Sequence, residues 1–118
     1  MARMLLDPRD LPQLPRLKIN TLLARNPTSV ITSPVTLVDS DTIVLVDDDT
    51  VGGAVTVNLP AVADSKGNIY NIKKLGTTGN VTVDGSGSET IDGGTTAILT
   101  AQYECITIYC NGAAWFII

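Results

Sequence analysis

The chain has 118 residues, enough for one domain with extensions, and its 44% hydrophobic, 17% charged and 4% aromatic content is too apolar for intrinsic disorder. The most apolar stretch, residues 113–118, is only about a third of the length a membrane-spanning helix needs, so no membrane partner is expected. The net charge is −4 and there is no histidine, which removes Ser-His-Asp and Cys-His catalysis and imidazole metal sites; no enzyme and no cofactor is expected.

The first 34 residues contain five of the six prolines, Pro8, Pro12, Pro15, Pro27 and Pro34. Proline fixes φ and biases the residue before it toward extended backbone, so 1–33 is expected to be an extended arm with room for a short helix only at 17–25. The arm is apolar as well as kinked. Leu5, Leu6, Leu11, Leu14, Leu22 and Leu23 are suited to grooves on another chain. Arg3, Arg9, Arg16, Lys18 and Arg25 against Asp7 and Asp10 make it basic, at +3, whereas residues 34–118 set three lysines against ten carboxylates, at −7. A basic arm before an acidic body implies docking on an acidic surface, and the body's charge argues against nucleic acid. The apolar run at the start stops after three residues, too short for a secretory signal, and synthesis in a cytoplasm is expected.

From Pro34 the apolar period becomes two. Strands are predicted at 35–38, 42–46, 54–59, 68–75, 81–84, 97–101, 104–110 and 114–118, punctuated by Asp47-Asp48-Asp49, Gly52-Gly53, 76–80, 84–88 and Asp92-Gly93-Gly94. Asn111-Gly112 between two apolar alternations predicts a two-residue type I′ hairpin joining the last two strands. The expected fold is therefore all-β: a compact antiparallel β-sandwich or jelly-roll-like domain over 34–118, preceded by the extended arm. Such a body, with few aromatics, has a thin core. Trp115, Phe116, Ile117 and Ile118 point bulky groups to both faces of a terminal strand, so they are the expected interface between copies of the chain.

Asp47-Asp48-Asp49-Thr50 and residues 84–89 offer oxygen ligands but match no calcium loop, so both read as solvated turns. The glycines at 85, 87, 93 and 94 lack the lysine of a phosphate loop. Glu89 and Glu104 are the carboxylates that a glycan hydrolase would have to use, and no groove for them is evident. Tyr70, Tyr103, Tyr109 and Trp115 read as packing residues before sugar platforms. Cys105 and Cys110 fall on opposite faces of one predicted strand, which rules out a bridge between them within the chain and leaves an interchain bridge open.

The series Val55-Thr56-Val57-Asn58-Leu59-Pro60, Gly67-Asn68-Ile69-Tyr70-Asn71-Ile72-Lys73-Lys74, Asn80-Val81-Thr82-Val83-Asp84, Ser88-Glu89-Thr90-Ile91-Asp92-Gly93, Leu99-Thr100-Ala101-Gln102-Tyr103-Glu104 and Asn111-Gly112-Ala113-Ala114-Trp115 resembles a β-domain of tailed-bacteriophage virion proteins: tail fibres, tail spikes and capsid decoration or head-fibre proteins. The resemblance covers about half of the chain and implies a homotrimeric module on the outside of a virus particle, with no catalytic residue. With no repetitive shaft and a docking arm, the chain is expected to be a capsid decoration or cement protein of the virion that binds the major capsid protein or another virion protein. The alternative is a short tail fibre or tail adaptor that binds a host glycan or another tail protein.

Overall fold

A computed structural model describes residues 27–118. Nine strands and two single helical turns follow in order: β1 (Thr28–Val30), β2 (Val35–Thr36), β3 (Ile43–Val46), α1 (Asp48–Val51), β4 (Val55–Asn58), a 3-10 turn (Val62–Asp64), β5 (Ile69–Lys74), β6 (Val81–Asp84), β7 (Thr96–Leu99), β8 (Cys105–Cys110) and β9 (Trp115–Ile117). They make two mixed sheets, a five-stranded one ordered β1-β3-β5-β8-β9 and a four-stranded one ordered β2-β4-β6-β7. The chain is thus mostly β, and each predicted strand is present: Val81–Asp84 with the predicted bounds, Thr96–Leu99 beginning one residue earlier, Val35–Thr36 at half the predicted length, and the others shorter by a residue or two.

Three expectations need correction. Antiparallel pairing was expected from the regular spacing of the strands and their short connections. Four of the seven ladders are instead parallel: β1 with β3, β2 with β4, β3 with β5 and β4 with β6. The first six strands alternate between the two sheets, so each short connection leads across to the other sheet and each strand pairs with the one two before it. A parallel neighbour needs a crossover of about a dozen residues or more, and a strand of the opposite sheet serves as that crossover where most folds use a helix. The antiparallel part begins only at β7 and closes with the β8–β9 hairpin.

Second, the body starts earlier than residue 34. Thr28, Ser29 and Val30 pair with Val44, Leu45 and Val46 as the edge of the five-stranded sheet, and Val30 is buried in the core. Pro27 and Pro34 flank this short strand without interrupting it, since a three-residue edge strand fits between them.

Third, the hairpin turn is not type I′. Cys110 pairs with Trp115, leaving a four-residue loop in which only Gly112 has positive φ, at 95°. Asn111 contributes its side chain rather than a left-handed backbone: Oδ1 accepts from the N–H groups of Ala113 (2.8 Å) and Ala114 (2.9 Å), an Asx turn. The two strands are antiparallel neighbours all the same.

The inward positions of both sheets form one apolar cluster. The five-stranded sheet supplies Val44, Val46, Tyr70, Ile72, Ile108, Cys110 and Trp115, and the four-stranded one Val55, Val57, Val81, Val83 and Leu99. Each fully buried side chain of this size contributes about 1.5–3 kcal/mol, so a valine-rich core compensates by number for what it lacks in aromatics. Its large members are placed together: the rings of Tyr70 and Trp115 lie 5.5 Å apart at 38°, and the Tyr70 hydroxyl donates to the Val38 carbonyl at 3.0 Å. Burial, with the nearby carboxylates of Asp39 and Asp41 adding to it, pushes the Tyr70 phenol up to about 12.

Candidate functional site

The acidic run between β3 and β4 is not a solvated turn. Asp47 caps α1, accepting from the Thr50 N–H (3.1 Å) and hydroxyl (2.7 Å), and this rotates Asp48 inward. Asp48 is fully buried beside Lys74, which is buried as well, with 3.2 Å between Lys74 Nζ and Asp48 Oδ2. The same carboxylate gathers the β5–β6 loop: Oδ1 accepts from Gly76 N–H (2.8 Å), and Oδ2 accepts from the N–H groups of Thr78 (2.8 Å) and Gly79 (2.9 Å). The Lys74 ammonium also donates to the Gly76 carbonyl, and Asp49 accepts from the Thr77 N–H (3.0 Å) and the Thr78 hydroxyl.

Burial acts to raise the Asp48 pKa, but the hydrogen bonds from Gly79, Lys74 and Gly76 outweigh it and hold the carboxyl at about 2. The glycines of the loop are required by close approach. A Cβ on Gly76 would lie 2.5 Å from the Asp49 carboxyl, and one on Gly79 would lie 2.4 Å from the backbone N of Ala54. These donors and acceptors satisfy one another, leaving the corner a clamp between two loops. Among the described residues, no group of three or more acidic, cysteine or histidine side chains is arranged to hold a metal ion.

Asp48 and Lys74 were missed as a pair, although a signal existed. In β5 the phase that buries Tyr70 and Ile72 also buries Lys74, and an inward lysine demands an acidic partner.

The other carboxylates weighed for chemistry are also tied to loops. Glu89 Oε1 accepts from the Val62 N–H (3.0 Å). Glu104 Oε1 accepts from the N–H groups of Thr100 (2.8 Å) and Ala101 (3.0 Å), and these bonds, Ala101 first, lower its pKa. Asp92 Oδ1 accepts from the Ile117 N–H (3.1 Å). Cys105 is exposed and Cys110 buried, both as free thiols. Of the aromatics, Tyr103 is exposed with the Lys73 ammonium 5.6 Å from its ring centre.

The expected arm residues, Arg3, Leu5, Leu6, Arg9, Leu11, Leu14, Arg16, Lys18, Leu22, Leu23 and Arg25, lie outside the described residues. The expected interface divides. Trp115 has no exposed surface because it packs on Tyr70 within its own chain, so it offers nothing to a neighbour. Phe116, Ile117 and Ile118 are exposed at the sheet edge.

The outward surfaces of the two sheets differ in kind. On the four-stranded sheet, Thr56 and Thr82 are cross-strand partners, Asp84 faces Thr96, and Ile98 is the one large apolar group among them. On the five-stranded sheet, Ile69 pairs with Tyr109 and Tyr109 with Phe116, an apolar row crossing three strands. No family model and no curated protein matches the chain. No helix among the described residues is long and apolar enough to cross a membrane.

Proposed function

We propose that this chain is a structural protein of a tailed-phage particle, a capsid decoration or cement protein. Its N-terminal segment docks on the major capsid protein, and its β-body, read as a two-layer sandwich, projects as a homotrimer. The observation that carries the reading is the segregation of charge: five basic side chains and a series of leucines precede residue 27, and ten carboxylates follow residue 34. A segment of that composition is suited to an acidic, grooved exterior, and the body's like charge keeps neighbouring projections apart. Three linked segments make the later contacts effectively intramolecular, so the avidity of a trimer exceeds the affinity of one segment by orders of magnitude. The buried or loop-bound carboxylates of the body fit a scaffold, and the reading calls for neither catalysis nor a cofactor.

The test uses phage heads stripped of this protein. Full-length chain should bind them in a salt-dependent manner, and Arg9→Glu with Arg16→Glu and Arg25→Glu should abolish binding. Deletion of residues 1–26, ending before β1, should leave the body folded and equally unable to bind. Unchanged binding by either variant would overturn the docking role. Immunogold labelling of tails instead of heads would favour the short tail fibre or adaptor.

A further inference from the structure

We propose that copies of this chain meet through the outward face of the five-stranded sheet. The proposal rests on the homotrimer of the preceding section and identifies its contact surface. The register builds that face. In β3, β5 and β8 the inward positions are buried, so the alternate ones point out: Ile43, Leu45, Ile69 and Tyr109 are apolar, and Asn71, Lys73 and Thr107 lie between them, the Thr107 hydroxyl donating to Asn71 Oδ1 at 2.7 Å. Phe116 lies directly opposite Tyr109, and Ile118 follows on the same side, its N–H donating to the Thr107 carbonyl (2.9 Å). Ile69, Phe116 and Ile118 are 42%, 40% and 70% exposed. Four strands, β3, β5, β8 and β9, at about 3.4 Å per residue and about 4.8 Å apart, make a face of roughly 300 Å², the size of the largest patch on many monomers and often a functional one.

Charge selects the occupant. Every carboxylate side chain of residues 34–118 lies in a connection, in α1 or the 3-10 turn, or on the four-stranded sheet, as Asp84 does; none stands in a strand of the five-stranded sheet. Among the described residues the one charged side chain in the strands of this face is Lys73, with its ammonium over the Tyr103 ring. Bodies of net charge −7 repel one another when their acidic surfaces approach, so a face whose strands carry no carboxylate side chain is where identical chains come together at least electrostatic cost. The basic N-terminal segment, in contrast, finds no acidic partner there. A second copy supplies a matching sheet surface, largely apolar and without carboxylate side chains on its strands.

Cys105 stands on this face, opposite Lys73, and is exposed in the single chain, whereas Cys110 is buried. It reports on the contact without any substitution. In full-length protein, alkylation of Cys105 should slow about tenfold between dilute and concentrated solution, the protection expected when roughly nine chains in ten are assembled. Sedimentation velocity should show the trimer over the same range. Ile69→Glu with Phe116→Glu should give a monomer with an unchanged circular dichroism spectrum and fast alkylation. Thr56→Glu with Thr82→Glu, the same charge change on the other sheet, should remain trimeric. A trimer with unprotected Cys105, or one that survives Ile69→Glu with Phe116→Glu, overturns the face and leaves the homotrimer standing. A wild-type monomer at every concentration overturns both.

Discussion

Asp48 and Glu104 do the same thing in two places. Each carboxylate collects backbone N–H groups of a tight connection, Asp48 those of Gly76, Thr78 and Gly79, and Glu104 those of Thr100 and Ala101. Hydrogen bonding lowers the pKa of both, in Asp48 against opposing burial. What differs is the surroundings. The hydrogen bonds of Glu104 are at the surface, where water replaces any that are lost. Asp48 and Lys74 are sealed in, so the loss of either partner leaves a charge or a set of donors that no water reaches. The comparison teaches that a carboxylate's structural weight is set less by the number of its hydrogen bonds than by what could substitute for them.

The largest effect should come from Asp48→Ala, which strands the Lys74 ammonium and three N–H groups and should cost about 3–5 kcal/mol in urea unfolding. Lys74→Met should cost clearly less, because Asp48 keeps its three backbone donors; equal losses would show that the ion pair, rather than the loop clamp, dominates. Next comes Gly79→Ala, which forces a methyl group toward the Gly53–Ala54 backbone and should cost about 1–3 kcal/mol, with the fold retained.

Acid should separate the two carboxylates further. Asp48 stays ionised in the folded protein down to about 2, while the unfolded chain takes up its proton near 3.8, the ordinary value for an aspartate. The stabilisation is therefore complete above that value and is lost as pH falls through it toward 2. Asp48→Asn should remove most of this dependence from a series of unfolding curves, and the part contributed by Glu104 should remain. The smallest change is expected for Glu104→Gln, whose melting temperature should fall far less than that of Asp48→Ala. A comparable fall would mean that the β7–β8 turn is as critical as the buried corner.

Strand positions were legible in the sequence because alternation in Ile69–Lys74 or Val81–Asp84 is a local property of the chain, set by which side chains avoid water. The same alternation could have marked Lys74 as inward, though not its partner, since Asp48 lies 26 residues away across another strand. Residues 28–30 escaped notice because three residues between prolines carry too little pattern, and they become a strand only when β3 offers an edge to pair with. Trp115 and Phe116 are equally apolar in a linear reading; the pairing of Cys110 with Trp115 and of Tyr109 with Phe116 sends one into the core and the other to the surface.

The sequence by itself thus determined the class of the fold, the positions of all its strands but the first and the opposition between a basic beginning and an acidic body, because hydrophobic period, turn chemistry and charge are written residue by residue. Only the tertiary structure decided that successive strands pass from sheet to sheet and pair in parallel, that an acidic run closes on a buried lysine, and that the strands of one sheet, among the described residues, carry no carboxylate. Each of those depends on register between segments far apart in the chain, where the free energy of a residue is set by the neighbours that folding brings to it.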